Sequence, residues 1–178
     1  VKGIVFNLLE DAVTSAHGAD TWDAILDETG ASGVYTALGN YPDEEALALV
    51  GALCDHLGAP PETVLRAFGQ AALPALVERY PEYIDTHATT KSFLMTLDDT
   101  VHRDVVKLYP DAKPPRFTFE DRGEKGLVMH YASERRLCSM AEGMIQAAAE
   151  RFGETARIEH PVCMLEGAER CTLVVTFG

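Results

Sequence analysis

The sequence predicts an α+β fold, with a helical lobe over about residues 1–110 and a β-β-α-β-β lobe with a four-stranded antiparallel sheet over about 111–178. Three observations predict it. Through the first two thirds, apolar residues recur three and four positions apart. At 112–117 the run AKPPRF places two adjacent prolines where no helix continues. Beyond that run the apolar period falls to two, apart from a single helical stretch. A length of 178 residues suits one such domain with a substantial core.

The elements follow in order. Residues 2–17 carry the stripe Ile4, Val5, Leu8, Leu9, Ala12 and Val13, which is one face of a helix. Thr21 is placed to cap a second helix that ends at Thr29, before Gly30. Asp43 is placed to cap 44–57, and Gly58 stops that helix. Pro60-Pro61 opens a helix over about 61–70, and another covers 73–79 before Tyr80-Pro81. The stretch 91–109 repeats Leu94, Leu97, Val101, Val105 and Leu108 at helical spacing. RFTFED and GLVMHYA then alternate as strands around a turn at Arg122-Gly123. Ser133 is placed to cap a helix from about 134 to 152, closed by Gly153. TARIEHPV and RCTLVVTF form a hairpin around Glu166-Gly167.

Charge and composition exclude several classes. A net charge of −13 repels nucleic acid and anionic membranes, and no basic patch offsets it. No apolar run reaches spanning length, and VKGIVFNLLED turns acidic too soon for a signal peptide. With four cysteines, the expectation is a reducing, cytoplasmic setting in which clustered thiols bind metal or sense redox state. There is no P-loop, no nucleophile elbow and no carboxylate pair beside a base, so no enzyme is expected.

Three residue sets carry chemistry. His102 flanks the apolar stripe of 91–109 and shares a face with Met95, Val106 and Tyr109. It is either a satisfied core-edge histidine or an axial ligand to iron held against that face. Tyr131, Ser133 and Arg135 alternate, so two hydroxyls and a guanidinium converge on what suits an anion, or else they make an ordinary strand-to-helix cap. Cys138, His160, Cys163 and Cys171 supply three thiolates and an imidazole, enough for a closed tetrahedral zinc site. The alternative is buried cysteines beside a surface histidine. Cys54 reads as core, and His17, His56, His87 and His130 have no partners at ligand spacing.

KGIVFNLLE at the start, HRDVVKLYPDAKPPRF in the middle, the Tyr-x-Ser-x-Arg pattern at 131–135 and the β-β-α-β-β ending together resemble the haem–nitric-oxide/oxygen-binding (H-NOX) family. The resemblance spans essentially the whole chain. It implies one domain over 1–178 with haem b between the two lobes. His102 would be the proximal ligand, Tyr131, Ser133 and Arg135 would hold the propionates, and Pro115 would press on the porphyrin. Oxygen-binding members carry a distal tyrosine five residues past the motif's arginine, where this chain has Met140. The other distal positions read Val5, Leu9 and Ala72, all apolar. The expectation is therefore binding of nitric oxide and carbon monoxide with little affinity for oxygen.

The resemblance also implies a mechanism. Nitric oxide on the iron weakens the His102 bond, the haem relaxes away from Pro115, and the lobes shift. A subset of bacterial members carries a zinc site at positions matching Cys138, His160, Cys163 and Cys171. That makes a structural zinc expected here, with redox reporting through its thiolates as a further role. No output domain is recognisable within the 178 residues, so the implied partner is separate, such as a histidine kinase or a cyclic-di-nucleotide enzyme. The rivals are a haem-free small-molecule-binding module, a zinc/thiol redox switch with incidental haem, and a haem or zinc enzyme. A closed four-ligand zinc argues against zinc catalysis.

Overall fold

The computed structural model describes all residues, Val1–Gly178. Seven α-helices and four β-strands appear in the order α1 (Gly3–His17), α2 (Ala19–Thr29), α3 (Asp43–Leu57), α4 (Pro61–Arg79), α5 (Thr90–Leu94), α6 (Arg103–Leu108), β1 (Arg116–Asp121), β2 (Gly126–Ala132), α7 (Cys138–Arg151), β3 (Ala156–Val162) and β4 (Cys171–Phe177). The sheet is antiparallel throughout, with strand order β1-β2-β4-β3. The expected α+β class and four-stranded antiparallel sheet are therefore present. No helix is long and apolar enough to cross a membrane.

Apolar side chains separate into two cores. One gathers Phe6, Leu8, Leu9, Val13, Trp22, Ile25, Leu49 and Leu53 from α1–α3, with Val64, Phe68 and Ala72 from α4. The other packs the inner sheet face (Phe117, Leu127, Met129, Tyr131, Leu173, Val175) on Ile145 and Ala148 of α7 and on Phe93 and Leu94 of α5. Leu73 of α4 belongs to this second core, so neighbouring residues of one helix face different cores. Each large side chain so buried contributes roughly 1.5–3 kcal/mol of transfer free energy.

Several boundaries differ from the sequence expectation. The two helices expected over 61–70 and 73–79 are one continuous helix, with Pro74 inside it. Proline removes a helical hydrogen bond, but Ala72 and Leu73 anchor the adjacent turn in two separate cores, and packing outweighs that loss. Thr21 lies inside α2 rather than at its cap, and its hydroxyl donates back to the His17 carbonyl at 3.1 Å. Asp43 is the first residue of α3, preceded by Pro42 at the cap, and its carboxylate is engaged elsewhere.

The stretch 91–109 is not one helix. The short α5 is capped by Thr89, which accepts from the Ser92 N–H at 3.2 Å. A wider, π-helical turn follows over Leu97–His102 before α6 begins. There the Thr96 carbonyl receives both Thr100 N–H (2.9 Å) and Val101 N–H (3.4 Å). Such turns concentrate at functional sites, and this one ends on His102.

Candidate metal centres

The π turn carries His102 to the edge of β1. Its ring stacks on Phe117, with centroids 5.6 Å apart and planes at 24°. Asp98 of the same turn accepts the Phe117 N–H at 2.9 Å, which ties the turn to the strand. The Nδ1 atom of His102 is buried with no hydrogen-bond partner. Burial pulls the imidazole below its ordinary pKa, against smaller opposite pulls from Asp98 and the Pro115 carbonyl. A neutral imidazole with an unpartnered buried nitrogen is the form a metal takes. Pro115 is half-buried and stands two residues before Phe117. The residues present thus fit an axially ligated iron on this side.

Tyr131 is the buried penultimate residue of β2, paired in register with Phe117 on one side and Cys171 on the other. Its hydroxyl accepts the Leu137 N–H at 3.0 Å and keeps its own proton to donate. Burial pushes its pKa up to about 12, so it stays a phenol. Ser133 and Arg135 lie in a turn rather than a helix, because α7 starts only at Cys138. Arg136 adopts φ 52°, a left-handed conformation no helix start contains. Ser133 therefore does not cap a helix; its oxygen accepts the Arg135 N–H at 3.3 Å within the turn.

The Arg135 guanidinium grips a carboxylate from the other end of the chain. Its Nη2 donates to Asp43 Oδ1 at 3.1 Å, its Nη1 to the Lys113 carbonyl at 2.6 Å, and its Nε lies 2.8 Å from Asp43 Oδ2 without aligned donation. Burial alone would raise the Asp43 carboxyl, but the contacts around it, the hydrogen bond and charge of Arg135 among them, hold it below the usual carboxylate range. Leu9 and Ala72 are buried in the first core, with Val5 and Met140 packed against it, so the four expected distal residues share one apolar cluster. None of the four side chains offers a hydrogen-bond donor.

Cys138, His160, Cys163 and Cys171 come together. Their ligand atoms all lie within 4.8 Å of one another. Cys138 opens α7, Cys171 opens β4, and Cys163 precedes a 3₁₀ turn over Met164–Glu166. A bulge between Glu159 and Val162 breaks the β3–β4 register and re-aims His160. The sulfurs of Cys138 and Cys163 are 3.8 Å apart. That is the separation expected of two ligands of tetrahedral zinc with bonds of about 2.3 Å.

Backbone N–H groups already address the sulfurs. Met164 N–H donates to Cys171 at 3.2 Å and Leu165 N–H to Cys163 at 3.4 Å. Burial and the two neighbouring sulfurs push the Cys138 thiol up to about 12, so ionising the set calls for a cation. His160 Nε2 is buried without a partner, as a metal-facing nitrogen would be. A cleft of about 390 Å³ opens over the set, lined in part by Glu62, Arg66, His160 and Cys163.

Sequence reading missed two partners here, Glu142 and Arg66. Glu142 is buried at 7% exposure and accepts from His160 Nδ1 at 2.6 Å and from Arg66 Nη2 at 2.6 Å. A glutamate on the inward face of a predicted helix was the available signal. Its partners stand 18 and 76 residues away in the chain, and no local pattern joins them.

Comparison with known proteins identifies the family. A family model described as haem-NO-binding matches residues 2–160. A curated soluble guanylate cyclase of Caenorhabditis elegans, gcy-35, is 24% identical over 159 residues, covering 86% of this chain and 23% of its own. The chain thus spans about a quarter of that relative. The crystal structure of an H-NOX protein from S. oneidensis in the Fe(II)NO ligation state superposes with a TM-score of 0.93 at 31% identity, covering 100% of this chain and 99% of that one. The Fe(II) unliganded H-NOX protein of K. algicida superposes with a TM-score of 0.91 at 25% identity, covering 100% and 97%.

Proposed function

Because the chain belongs to the haem-NO-binding (H-NOX) family of haem-based gas sensors, we propose that it binds nitric oxide and carbon monoxide at a ferrous haem b held by His102. The observation that carries this reading is the His102 imidazole, biased to its neutral form, stacked on Phe117, with a buried Nδ1 that makes no aligned hydrogen bond. Bound haem supplies the iron to which the gas attaches. The remaining work is done by the chain.

Tyr131 and Ser133 offer neighbouring hydroxyls to a carboxylate oxygen, and Arg135 already takes a carboxylate, that of Asp43. A propionate competes with Asp43 for that guanidinium. Pro115 has a fixed φ and sits next to the strand that carries Phe117, so it is a stiff abutment for the cofactor. Val5, Leu9, Ala72 and Met140 offer no donor to a polar oxygen adduct, which supports discrimination against dioxygen. Displacement of the His102 ring is passed to β1 through the Phe117 stack and the Asp98 bond. That gives a two-state element through which a separate partner, such as a histidine kinase or a cyclic-di-nucleotide enzyme, is addressed in a cytoplasmic setting. Cys138, His160, Cys163 and Cys171 hold a structural zinc that fastens α7 to the β3–β4 end of the sheet.

The test is the absorption spectrum of the ferrous protein before and after nitric oxide, carbon monoxide and air. A five-coordinate ferrous spectrum is expected that responds to both gases and forms no stable oxygen complex. His102→Ala is expected to lose haem or that spectrum. A colourless wild type that does not take up hemin, or H102A retaining the spectrum without added imidazole, removes the assignment.

A further inference from the structure

The cluster of Cys138, His160, Cys163 and Cys171 is held from outside by two side chains. Glu142 divides its carboxylate between two partners. Oε2 accepts from Arg66 Nε at 3.1 Å and from Nη2 at 2.6 Å, while Oε1 faces His160 Nδ1 at 2.6 Å. A carboxylate on Nδ1 fixes the proton there and leaves the Nε2 lone pair free for a metal. That nitrogen is the buried, unpartnered atom among the sulfurs.

The arrangement is built by the backbone. α4 and α7 cross at two glycines. A Cβ on Gly69 would lie 2.1 Å from the Met140 carbonyl oxygen, and one on Gly143 would lie 2.0 Å from the Arg66 carbonyl oxygen. This close crossing brings Arg66 of α4 onto Glu142 of α7.

We propose that Glu142 is the positioning residue of a zinc centre at Cys138, His160, Cys163 and Cys171, and that Arg66 extends this positioning to α4. The inference rests on the zinc reading of the four ligands given above. Glu142 touches no metal; it acts through the His160 ring. Arg66 neutralises a carboxylate that would otherwise be buried unpaired, and it holds the carboxylate plane so that the second oxygen meets the imidazole. The Met140 carbonyl packed on Gly69 puts this support next to the apolar cluster of Val5, Leu9, Ala72 and Met140.

The experiment uses the full reduced chain loaded with zinc alone. In the wild type, ¹⁵N shifts of the His160 ring are expected to show Nε2 bound to metal and Nδ1 protonated. In chelator competition, Glu142→Ala is expected to lower zinc affinity about 10- to 100-fold. Glu142→Gln keeps an acceptor oxygen without the charge and loses less, and Arg66→Met shifts affinity in the same direction by a smaller factor. The ring assignment is made on the wild type, so it stands even if a variant does not fold. A wild type that takes up no zinc removes the zinc reading itself. Stoichiometric zinc bound through Nδ1, or with unchanged affinity in both Glu142 variants, leaves the centre standing and overturns the role of Glu142.

Discussion

At the scale of single residues, Asp43 is the clearest case of a side chain whose meaning the structure changed. As a sequence feature it reads as a helix cap. In the fold it is the carboxylate that occupies Arg135. Its pKa is depressed, so it contributes stability that is complete above its unfolded value of about 3.8 and is lost as pH falls through the lower folded value. In haem-free protein, Asp43→Asn is therefore expected to cost about 0.5–1 kcal/mol at pH 6, a small figure because the pair is part-exposed. The gap to wild type closes below pH 3.8, and urea unfolding at several pH values measures it. A gap that persists unchanged at pH 3 removes the ion pair as its source. His102, Tyr131 and the grouping of Cys138, His160, Cys163 and Cys171 were legible as candidates because their chemistry is uncommon. Asp43, Glu142 and Arg66 were not, because ordinary charged residues acquire a role only from partners distant in the chain.

At the scale of elements, the strands and their turns were legible because period-two alternation is bounded by breakers. The π turn was not, since Leu94, Leu97, Val101, Val105 and Leu108 satisfy an ordinary helix equally well, and the widening shows only in hydrogen bonds. Nor did the continuity of α4 show, because local preference at Pro74 is overruled by packing. The α4–α7 crossing makes its own prediction. Gly143→Ala gains up to about 1 kcal/mol of helix propensity but drives a methyl group onto a backbone carbonyl that cannot rotate away. Overpacking of this kind costs about 1–3 kcal/mol, and the net expectation is destabilisation by about 2 kcal/mol in thermal or urea unfolding. Gly51→Ala on α3, with nothing within 4 Å of the added carbon, is the control and is expected to stabilise. Equal effects at the two positions would rule out a tight crossing.

At the scale of the whole molecule, the expected division near residue 110 meets a helix that does not respect it. α4 buries Val64, Phe68 and Ala72 in one core and Leu73 in the other, and it is keyed to α7 by reciprocal glycine–carbonyl contacts. α4 should therefore travel with α7 and the sheet, and displacement on gas binding should fall between α1–α3 and the remainder. Hydrogen exchange with and without nitric oxide tests this. Amides of 64–73 and 140–148 are expected to change together, with the larger differences in 30–42, 57–61 and the π turn. A change in α4 with α7 unaltered would place the division elsewhere.

The strand order has a consequence for how such a chain is made. β4 leaves the ribosome after the other three strands, yet it lies inside the sheet between β2 and β3, and it supplies Cys171, the register partner of Tyr131. α1–α3 can condense during translation, whereas β1–β2 and β3 have nothing to join until residue 177 has emerged. On the haem reading proposed above, cofactor capture at His102 and closure of the cysteine cluster are thereby deferred to the same moment, when β4 slides into place.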